Sequence, residues 1–512
     1  MDRQDNSNEL VLVLDFGGQY KELIARLIRS LNVYAEIRPG SLSAAEVAAL
    51  GPIGIVLTGG PDSVYLPGSP QMDPAILDLG IPILGICYGM HLISQMLDGS
   101  VQSGAVGEYG VVPVSPSGTS RLFAGIDAPF GALMSHRDQV VRLPQGFAAC
   151  AVTENCIAAC ENPERALYAV QFHPESAHTE CGSAVMHNFL YQICDAAGDY
   201  LLDDFLTTQI EKVRRTVGSD RVLLALSGGV DSAVCASLLN RAIGSQLTCI
   251  FVDHGLMRLN EGDQIEAVFA GMDLNFIRVN AEQQFLTRLA GVTDPEQKRR
   301  IVGEEFIRAF ETQASRLGGI RFLAQGTIYP DIVESGSQTT ATIKSHHNVG
   351  GLPDIMDFDG IIEPLTYLFK DEVRALGAKL GLPDSLVNRQ PFPGPGLAIR
   401  IIGEVTAAKL KTLRAADAIV REEIDALPVR PDQYFAVFTD TASVGVKGDD
   451  RTYSNVIAVR AVSTVDFMTA DYTPLPHSVL GRISARITNE IAEVSRVVYD
   501  ITTKPPATVE WE

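Results

Sequence analysis

The stretch LVLVLDFGGQYKELIARLIRSLNVYAEI, residues 10–37, decides the fold of the amino-terminal part of the chain. Residues 10–14 and 33–37 are apolar runs typical of buried strands, and residues 19–31 place apolar side chains at helical spacing. A strand, a helix and a strand in this order predict parallel strands joined by a crossover helix. Apolar runs at 54–57 and 82–86 continue the pattern. We therefore predict an α/β domain built on a doubly wound parallel sheet.

The same alternation starts again after residues 195–204, where a glycine and a group of acids are suited to a domain boundary. Strands are predicted at 221–226, 246–252 and 275–279, with a helix at 232–242. These elements indicate a second α/β domain with a doubly wound parallel sheet.

Residues 390–397 end this second domain, because three prolines and two glycines exclude a regular element there. Strands near 435–438, 455–462 and 496–501, around a helix near 479–491, predict a small α+β domain. The predicted domains are therefore 8–197, 205–390 and 391–512.

The charge balance limits the classes of partner. Sixty-two acidic and 41 basic residues give a net charge of −21, which disfavours nucleic acid and anionic membranes. Residues 1–9 lack the features of a secretory leader, and no apolar run approaches the roughly 18 residues of a membrane span. We expect a cytoplasmic protein that has neither nucleic acid nor a membrane as its partner.

The eight cysteines are expected to be mostly buried thiols, because a long chain without a leader does not indicate a disulfide framework. Cys156 and Cys160 lack a second ligand pair at zinc-site spacing, so we interpret them as packing residues.

Cys87 stands apart because it lies in Gly85-Ile86-Cys87-Tyr88-Gly89, where a predicted strand turns sharply into a helix. This resembles a nucleophile elbow, and the positive end of a helix favours a thiolate. The segment Gln171-Phe172-His173-Pro174-Glu175 offers an imidazole as base and a carboxylate two residues on to hold it. Each residue alone is more typical of a core, but together they predict a nucleophilic site.

Backbone donors for an oxyanion are predicted at two places. Gly59, in Thr58-Gly59-Gly60-Pro61, follows a strand, and the amide of Tyr88 follows the candidate nucleophile. All these parts lie at the carboxyl ends of predicted strands.

A second candidate site is the loop Ser227-Gly228-Gly229-Val230-Asp231-Ser232, which follows a strand and opens a helix. Its amides and hydroxyls predict a phosphate cradle. It lacks the lysine of the Walker pattern, so we expect Mg²⁺ between Asp231 and a nucleotide. The alternative is a glycine-rich turn without a ligand.

Two further segments carry cations. Lys370 starts a predicted helix and is able to neutralise pyrophosphate, although an ordinary solvated helix start is the alternative. Residues 343–351 combine cations with terminal glycines, as a lid over phosphates would, and their paired histidines leave a metal site as the alternative.

The motifs GICYG, TGGP and QFHPE resemble those of class I glutamine amidotransferases. That resemblance implies a triad of Cys87, His173 and Glu175 that releases ammonia from glutamine. It also marks a departure, since Arg137 in Met134-Ser135-His136-Arg137-Asp138 stands where the family usually has glycine.

The loop 227–232 is similar to the pyrophosphate motif of ATP pyrophosphatases, which cleave ATP to AMP and pyrophosphate and adenylylate an acceptor. The resemblance implies that Val252 and Gly326 lie near adenine and that ATP binds with Mg²⁺. It implies no organic prosthetic group.

Both domains in one chain, with PFPGPGL at 391–397 and KPPATVEWE at 504–512, resemble the GMP synthetase family. The resemblance implies amination of xanthosine 5′-monophosphate (XMP) to GMP and a homodimer joined by the carboxyl-terminal domain. It implies XMP contacts at Arg299, Asp449, Lys504 and Glu510. The alternatives are another glutamine-dependent ATP pyrophosphatase ligase, of the NAD synthetase kind, and a nucleotide sensor without turnover.

Overall fold

The computed structural model describes residues 8–334, 358–447, 449–464 and 469–512. The chain divides into two compact units, Met1–Phe205 and Leu206–Glu512. The segment 343–351, for which the sequence predicts a lid, lies outside the described residues. Within the described residues, none of the helices combines the length and apolar composition that crossing a bilayer requires.

The first unit contains one mixed sheet and the helices that cover it. Its strands are β1 (Leu10–Asp15), β2 (Tyr34–Pro39), β3 (Gly54–Leu57), β4 (Ile83–Ile86), β5 (Ser100–Pro116), β6 (Phe130–Arg142), β7 (Ala148–Val152), β8 (Ile157–Asn162) and β9 (Leu167–Val170). Its helices are α1 (Lys21–Ser30), α2 (Ala44–Leu50), α3 (Tyr88–Met96) and α4 (Gly182–His187). A turn of π-helix at Asn188–Ile193 follows α4.

Among the described residues, nine strands of this sheet have the order β2-β1-β3-β4-β9-β8-β7-β5-β6. The first five strands in this order, β2, β1, β3, β4 and β9, are parallel to one another, as the sequence predicts. Strands β3 and β4 are buried along their whole length, which is expected of parallel strands covered on both faces. The carboxyl ends of β3, β4 and β9 therefore lie side by side at one edge.

An antiparallel extension, β8-β7-β5-β6, continues the sheet beyond β9. The apolar pattern of the sequence did not predict this extension. Strand β5 is 17 residues long and alternates irregularly between buried and exposed positions, so its apolar pattern does not specify a partner strand.

The second unit begins with α5 (Leu202–Val217), which starts just before the boundary. Its strands are β10 (Arg221–Leu226), β11 (Leu247–Asp253), β12 (Asn275–Asn280), β13 (Ile320–Ala324), β14 (Gly360–Ile362), β15 (Gln433–Lys447), β16 (Asp450–Ser463), β17 (Asp471–Tyr472) and β18 (Val494–Asp500). Its further helices are α6 (Val230–Ile243), α7 (Glu261–Phe269), α8 (Glu282–Leu289), α9 (Pro295–Ala314), α10 (Tyr329–Glu334), α11 (Lys370–Lys379), α12 (Asp384–Val387), α13 (Ala407–Asp425) and α14 (His477–Glu490).

Strands β10 to β14 form a parallel sheet in the order β12-β11-β10-β13-β14. The chain runs outward from β10 to β12 and then returns to the other side of β10 at β13. A crevice opens where the strand order reverses in this way, outside the carboxyl ends of the strands. The loop after β10 therefore lies at the expected position of a ligand site.

The remaining strands form a separate sheet centred on β16, which pairs with β15 and β17 antiparallel and with β18 parallel. One apolar core includes residues of the parallel sheet, such as Leu223, and residues around the second sheet, such as Ile457 and Ile483. Both sheets therefore belong to one compact unit, and the predicted division at residue 390 stays a prediction.

Candidate active sites

The elbow at Cys87 joins β4 to α3 with an unusual backbone conformation. Cys87 has φ 51° and ψ −103°, and its amide donates to the Val170 carbonyl at 2.8 Å. A Cβ added to Gly85 would lie 2.6 Å from the Gly89 carbonyl, and one on Gly89 would lie 2.6 Å from the Leu57 carbonyl. Glycine is therefore required at both positions for the start of α3 to pack this closely against the strands. A non-glycine residue at positive φ is strained, and such strain is concentrated at functional sites.

His173 lies in the segment after β9, and Glu175 holds its imidazole. Nδ1 of His173 lies 2.7 Å from Oε1 of Glu175, and both side chains are buried. Burial lowers the pKa of His173, but the charge of Glu175 and hydrogen bonds to Cys87 and Glu175 raise it well above its usual value. The main chain is also held, since the His173 amide donates to the Leu133 carbonyl at 3.1 Å. The imidazole is therefore fixed between the thiol and the carboxylate.

The two predicted oxyanion residues lie beside this pair. A Cβ on Gly59 would lie 3.4 Å from Cε1 of His173 and 3.8 Å from Cβ of Cys87. Tyr88 is the first residue of α3, so its amide has no partner within the helix. Its hydroxyl donates to the Pro70 carbonyl at 2.5 Å, which fixes the start of the helix. The structure thus brings all five predicted residues of this site together.

Behind the thiol lies a buried pair of side chains that the sequence motifs did not predict. Nε2 of Gln171 lies 3.7 Å from Sγ of Cys87, and Oε1 of Gln171 lies 2.7 Å from Nε2 of His91. Burial lowers the pKa of His91 to about 4, so this imidazole is neutral near pH 7. The available signal was the position of Gln171 at the end of β9, in the same QFHPE segment as His173.

Arg137, which departs from the amidotransferase pattern, lies in β6 with its side chain exposed. Its neighbour His136 is buried. Since successive side chains of a strand alternate between faces, Arg137 lies on the face opposite His136.

The loop after β10 leads into α6, and the polar groups of this loop lie close together. Oγ of Ser227 lies 3.0 Å from Oγ of Ser232, and the Gly229 amide donates to Ser227 at 3.3 Å. Gly228 has φ +78°, where glycine is favoured. Gly229 is the N-cap of α6 and has no side-chain cap. The first turn of this helix is therefore available to an anion.

A cavity of about 370 Å³ opens over this loop. Seven of the predicted ATP-site residues line it: Ser227, Gly229, Val230, Asp231, Ser232, Gly326 and Lys370. Gly326 is packed tightly, since a Cβ there would lie 3.1 Å from the amide nitrogen of Ser232.

Two predicted ATP-site residues lie outside the lining of this cavity. Val252 is buried in β11, with 1% of its surface exposed, and Gly228 faces Ile265. Arg389 and Gln390, which the sequence analysis did not assign to ATP, do line it. Arg389 donates to the Gly228 carbonyl at 2.6 Å and so helps to hold the loop in place.

Lys370 begins α11 and points at the loop. Its Nζ lies 2.7 and 2.6 Å from the two carboxylate oxygens of Asp231. This ion pair is partly exposed, so it costs little to open.

The four residues predicted for XMP fall at two places. Arg299 donates to the Glu512 carbonyl at 2.6 Å, and Glu510 accepts from Arg400 at 2.9 and 2.8 Å and from Gln433 at 3.0 Å.

Lys504 lies in the same terminal segment and pairs by its backbone with Ala470. Asp449 instead lies exposed in the turn between β15 and β16. The structure therefore places Arg299, Lys504 and Glu510 in or beside the terminal segment 504–512 and Asp449 at the tip of the hairpin.

Comparisons with known proteins show which families this chain resembles. Residues 12–193 match the family described as "Glutamine amidotransferase class-I", and residues 423–511 match "GMP synthase C terminal domain". The chain is 56% identical over 510 residues to "GMP synthase [glutamine-hydrolyzing]" of Acetivibrio thermocellus, covering 99% of this chain and 100% of that one.

Relatives with the same description occur in two other bacteria. That of Finegoldia magna is 54% identical over 508 residues, 99% of this chain and 100% of its own length. That of Clostridium botulinum is 56% identical over 510 residues, 98% of this chain and 99% of its own length.

Proposed function

We propose how the reaction is divided between two sites in this chain, which belongs to the family of glutamine-hydrolysing GMP synthases. It is a glutamine-dependent, ATP-using ligase that converts XMP to GMP. The observation that carries the division is the contrast between a buried thiol elbow in one unit and an open phosphate loop in the other. The thiol site releases ammonia and the loop site activates XMP.

In the first site, the thiolate of Cys87 attacks the side-chain amide carbon of glutamine. The amides of Gly59 and Tyr88 stabilise the oxyanion of the tetrahedral intermediate. His173 gives its proton to the departing ammonia, then takes one from water as that water attacks the thioester and releases glutamate. Glu175 keeps the imidazole oriented and stabilises its charged form, in keeping with its 2.7 Å contact.

In the second site, the amides at the start of α6 and the two serine hydroxyls bind phosphate oxygens of ATP. The XMP oxygen attacks the α-phosphate, pyrophosphate leaves and ammonia then displaces AMP from the adenylylated base. Lys370 turns from Asp231 toward the charge that develops on pyrophosphate.

The donors fit Mg²⁺, because a carboxylate such as Asp231 and phosphate oxygens are the hard ligands that this ion prefers. The second carboxylate of the cavity lining, Asp331, adds to that oxygen-rich surface. When bound, Mg²⁺ supplies charge neutralisation on the phosphates. The chain's own residues hold the nucleotide and exclude competing orientations.

We further propose that XMP binds between two copies of the chain. Gln433, which donates to Glu510, pairs with Val462, whereas Asp449 precedes Asp450 at the other end of the same hairpin. The strand length between Asp450 and Val462 is about 40 Å at roughly 3.3 Å per residue. One nucleotide does not span that length, so Asp449 would act on the site of the partner copy.

Exposed apolar side chains on the second sheet support this homodimer. Val446 and Tyr453 of the hairpin are 71% and 74% exposed, and Ile501 after β18 is 64% exposed. Burial of such side chains against a second copy would remove them from water, as in a protein interface.

The main test separates the two half-reactions. Cys87→Ala should reduce glutamine-driven GMP synthesis by about a thousandfold or more, since the covalent route is removed. Synthesis from ammonium salts should stay within about twofold, because the second site is untouched. Cys181→Ser, a partly exposed thiol of the same unit, is the matched control and should leave both activities unchanged. Glutamine-driven synthesis that survives Cys87→Ala contradicts the proposed role of the thiol.

The XMP site and the dimer are tested by mixing two inactive variants, Asp449→Ala and Glu510→Gln. Hybrid dimers should contain one intact site each, so activity should return to roughly one quarter of the wild-type value. Mixing without any recovery, under conditions where light scattering reports dimers, contradicts a site shared between copies. Pyrophosphate release measured with XMP and with carboxylate acceptors checks the acceptor independently.

A further inference from the structure

A second cluster of reactive side chains lies in the antiparallel extension of the first unit. Glu108 of β5 is directly opposite His136 of β6, and Cys156 precedes β8. Nε2 of His136 lies 3.3 Å from Oε2 of Glu108, and Sγ of Cys156 lies 3.3 Å from the same oxygen and 3.9 Å from Nε2. Glu108 and His136 are buried, and Cys156 is partly buried.

Two of the three side chains, His136 and Glu108, are held by further contacts. Nδ1 of His136 lies 2.9 Å from the Asp138 carbonyl, which fixes the proton on Nδ1 and leaves the lone pair of Nε2 facing the cluster. Oε1 of Glu108 accepts from Thr153 at 2.8 Å and from Asn155 at 3.0 Å, so Oε2 is turned inward.

This arrangement brings acceptor atoms together and requires a positive charge between them. The imidazole lone pair and the carboxylate oxygen repel at 3.3 Å unless a proton or a metal ion lies between them. Bond lengths to tetrahedral Zn²⁺ of about 2.0–2.3 Å imply ligand separations of roughly 3.3–3.6 Å. The observed 3.3, 3.3 and 3.9 Å are close to that geometry.

We propose that Glu108, His136 and Cys156 form a binding site for a zinc-class transition metal ion. On binding, the Cys156 thiol releases its proton to solvent and the sulfur bonds to the metal, so one carboxylate and one thiolate balance the two positive charges of the ion. The partly exposed side of Cys156 gives the ion its route and leaves a fourth position for water. The backbone carbonyl on Nδ1 of His136 is the partner that a metal-bound histidine usually has.

The proposed ion would connect two strands of the extension with the turn that precedes a third. It would attach β5 and β6 to the turn before β8, and β6 also carries the Leu133 carbonyl that holds the His173 amide. The site is therefore structural, and its effect on glutamine hydrolysis would be indirect. The cysteine spacing gave no sign of it, because the three ligands come from two strands and a turn that are distant in sequence.

The test uses the full chain without an affinity tag, freed of metal and titrated with Co²⁺ alone. We expect about one ion per chain, with a thiolate-to-cobalt charge-transfer band and the d–d bands of a tetrahedral ion. Cys156→Ser should remove the charge-transfer band and weaken binding by about a hundredfold or more. Cys150→Ser, a buried thiol of the adjacent β7 outside the cluster, should keep the band.

Two results would overturn the proposal. One is wild-type protein that binds no Co²⁺ or Zn²⁺, which leaves a protonated His136 as the charge between the acceptors. The other is a band that persists in Cys156→Ser and disappears in Cys87→Ser, which puts the ion on the other thiol. X-ray absorption of the zinc-loaded wild-type chain needs no variant to fold, and a shell without one sulfur ligand also rejects the site.

Discussion

The two candidate active sites both lie where a parallel strand turns into a helix, yet they are prepared in opposite ways. At Cys87 the backbone is strained and the surrounding groups are buried. At the loop 227–232 the strain falls on a glycine, and the ion pair of Lys370 with Asp231 is partly exposed. The difference fits the chemistry proposed for each site. Covalent attack needs reacting atoms that are already fixed, whereas a bound phosphate replaces the ion pair and hydrogen bonds that it displaces.

The largest expected effect on ammonium-driven synthesis concerns the open site. Asp231→Asn should lower GMP synthesis from both glutamine and ammonium by about a hundred- to a thousandfold, because the proposed acidic ligand for the nucleotide's metal is lost. Release of AMP and pyrophosphate measures it. Lys379→Met, at the far end of the helix that Lys370 begins, serves as control for a lost surface charge. Normal ammonium-driven synthesis in Asp231→Asn breaks the comparison, because this loop would then not be the nucleotide site.

A smaller effect is expected at the buried site. Glu175→Gln should lower kcat/KM for glutamine hydrolysis by about ten- to a hundredfold, since a hydrogen bond to a charged group contributes about 1.5–3 kcal/mol.

Because Glu175 raises the pKa of His173, the same variant should lower that pKa, which an NMR titration of the imidazole measures. Glu164→Gln, on an exposed turn of the same unit, should change neither quantity. An unchanged pKa of His173 in Glu175→Gln would show that Glu175 does not hold the imidazole in a charged state, and the contrast between a preorganised site and an open site would fail.

The smallest effect tests whether the units respond alike to acid. Burial lowers the pKa of His91 in the first unit and of His254 in the second from 6.5 to about 4. The unfolded state binds the proton first as the pH falls, so the stability contributed by each neutral imidazole is present above pH 6.5 and lost toward pH 4.

Between pH 7.5 and pH 5 each histidine should therefore reduce the free energy of unfolding by about 2 kcal/mol. Denaturant unfolding at both pH values measures this, and the reduction should be smaller in His91→Gln and in His254→Asn. Gln at position 91 keeps an amide nitrogen that can donate to Gln171 where Nε2 now lies, and Asn at position 254 keeps an amide oxygen that can accept from Leu256 where Nδ1 now lies. Equal pH dependence in the wild type and both variants would show that other groups control acid unfolding.

The parallel cores follow directly from the sequence, because their strands are short, apolar and buried on both faces. The predicted strands 54–57 and 221–226 have the bounds of β3 and β10. The extension β5–β8 could not be predicted, because strand pairing there depends on partners distant in sequence and not on a local period.

The same physical distinction applies to the sites. Cys87 and His173 follow adjacent parallel strands, so strand order alone predicts that they meet. Val252 also ends such a strand, but its side chain is packed into the core and does not line the cavity. Asp449 lies at the tip of a long hairpin, far from residues 504–512. No local sequence pattern predicts how far the hairpin carries it from them.

The His173 amide donates to the Leu133 carbonyl of β6, so this hydrogen bond both holds the segment at His173 and allows its opening to be measured. That amide exchanges with deuterium only when the bond opens, so its rate measures how often the antiparallel extension detaches from the base of the thiol site. Slow exchange, equal to that of β3, would identify the extension and the parallel core as one cooperative folding unit. Faster exchange would show that His173, the proposed catalytic base, is released more readily than the parallel core beside it.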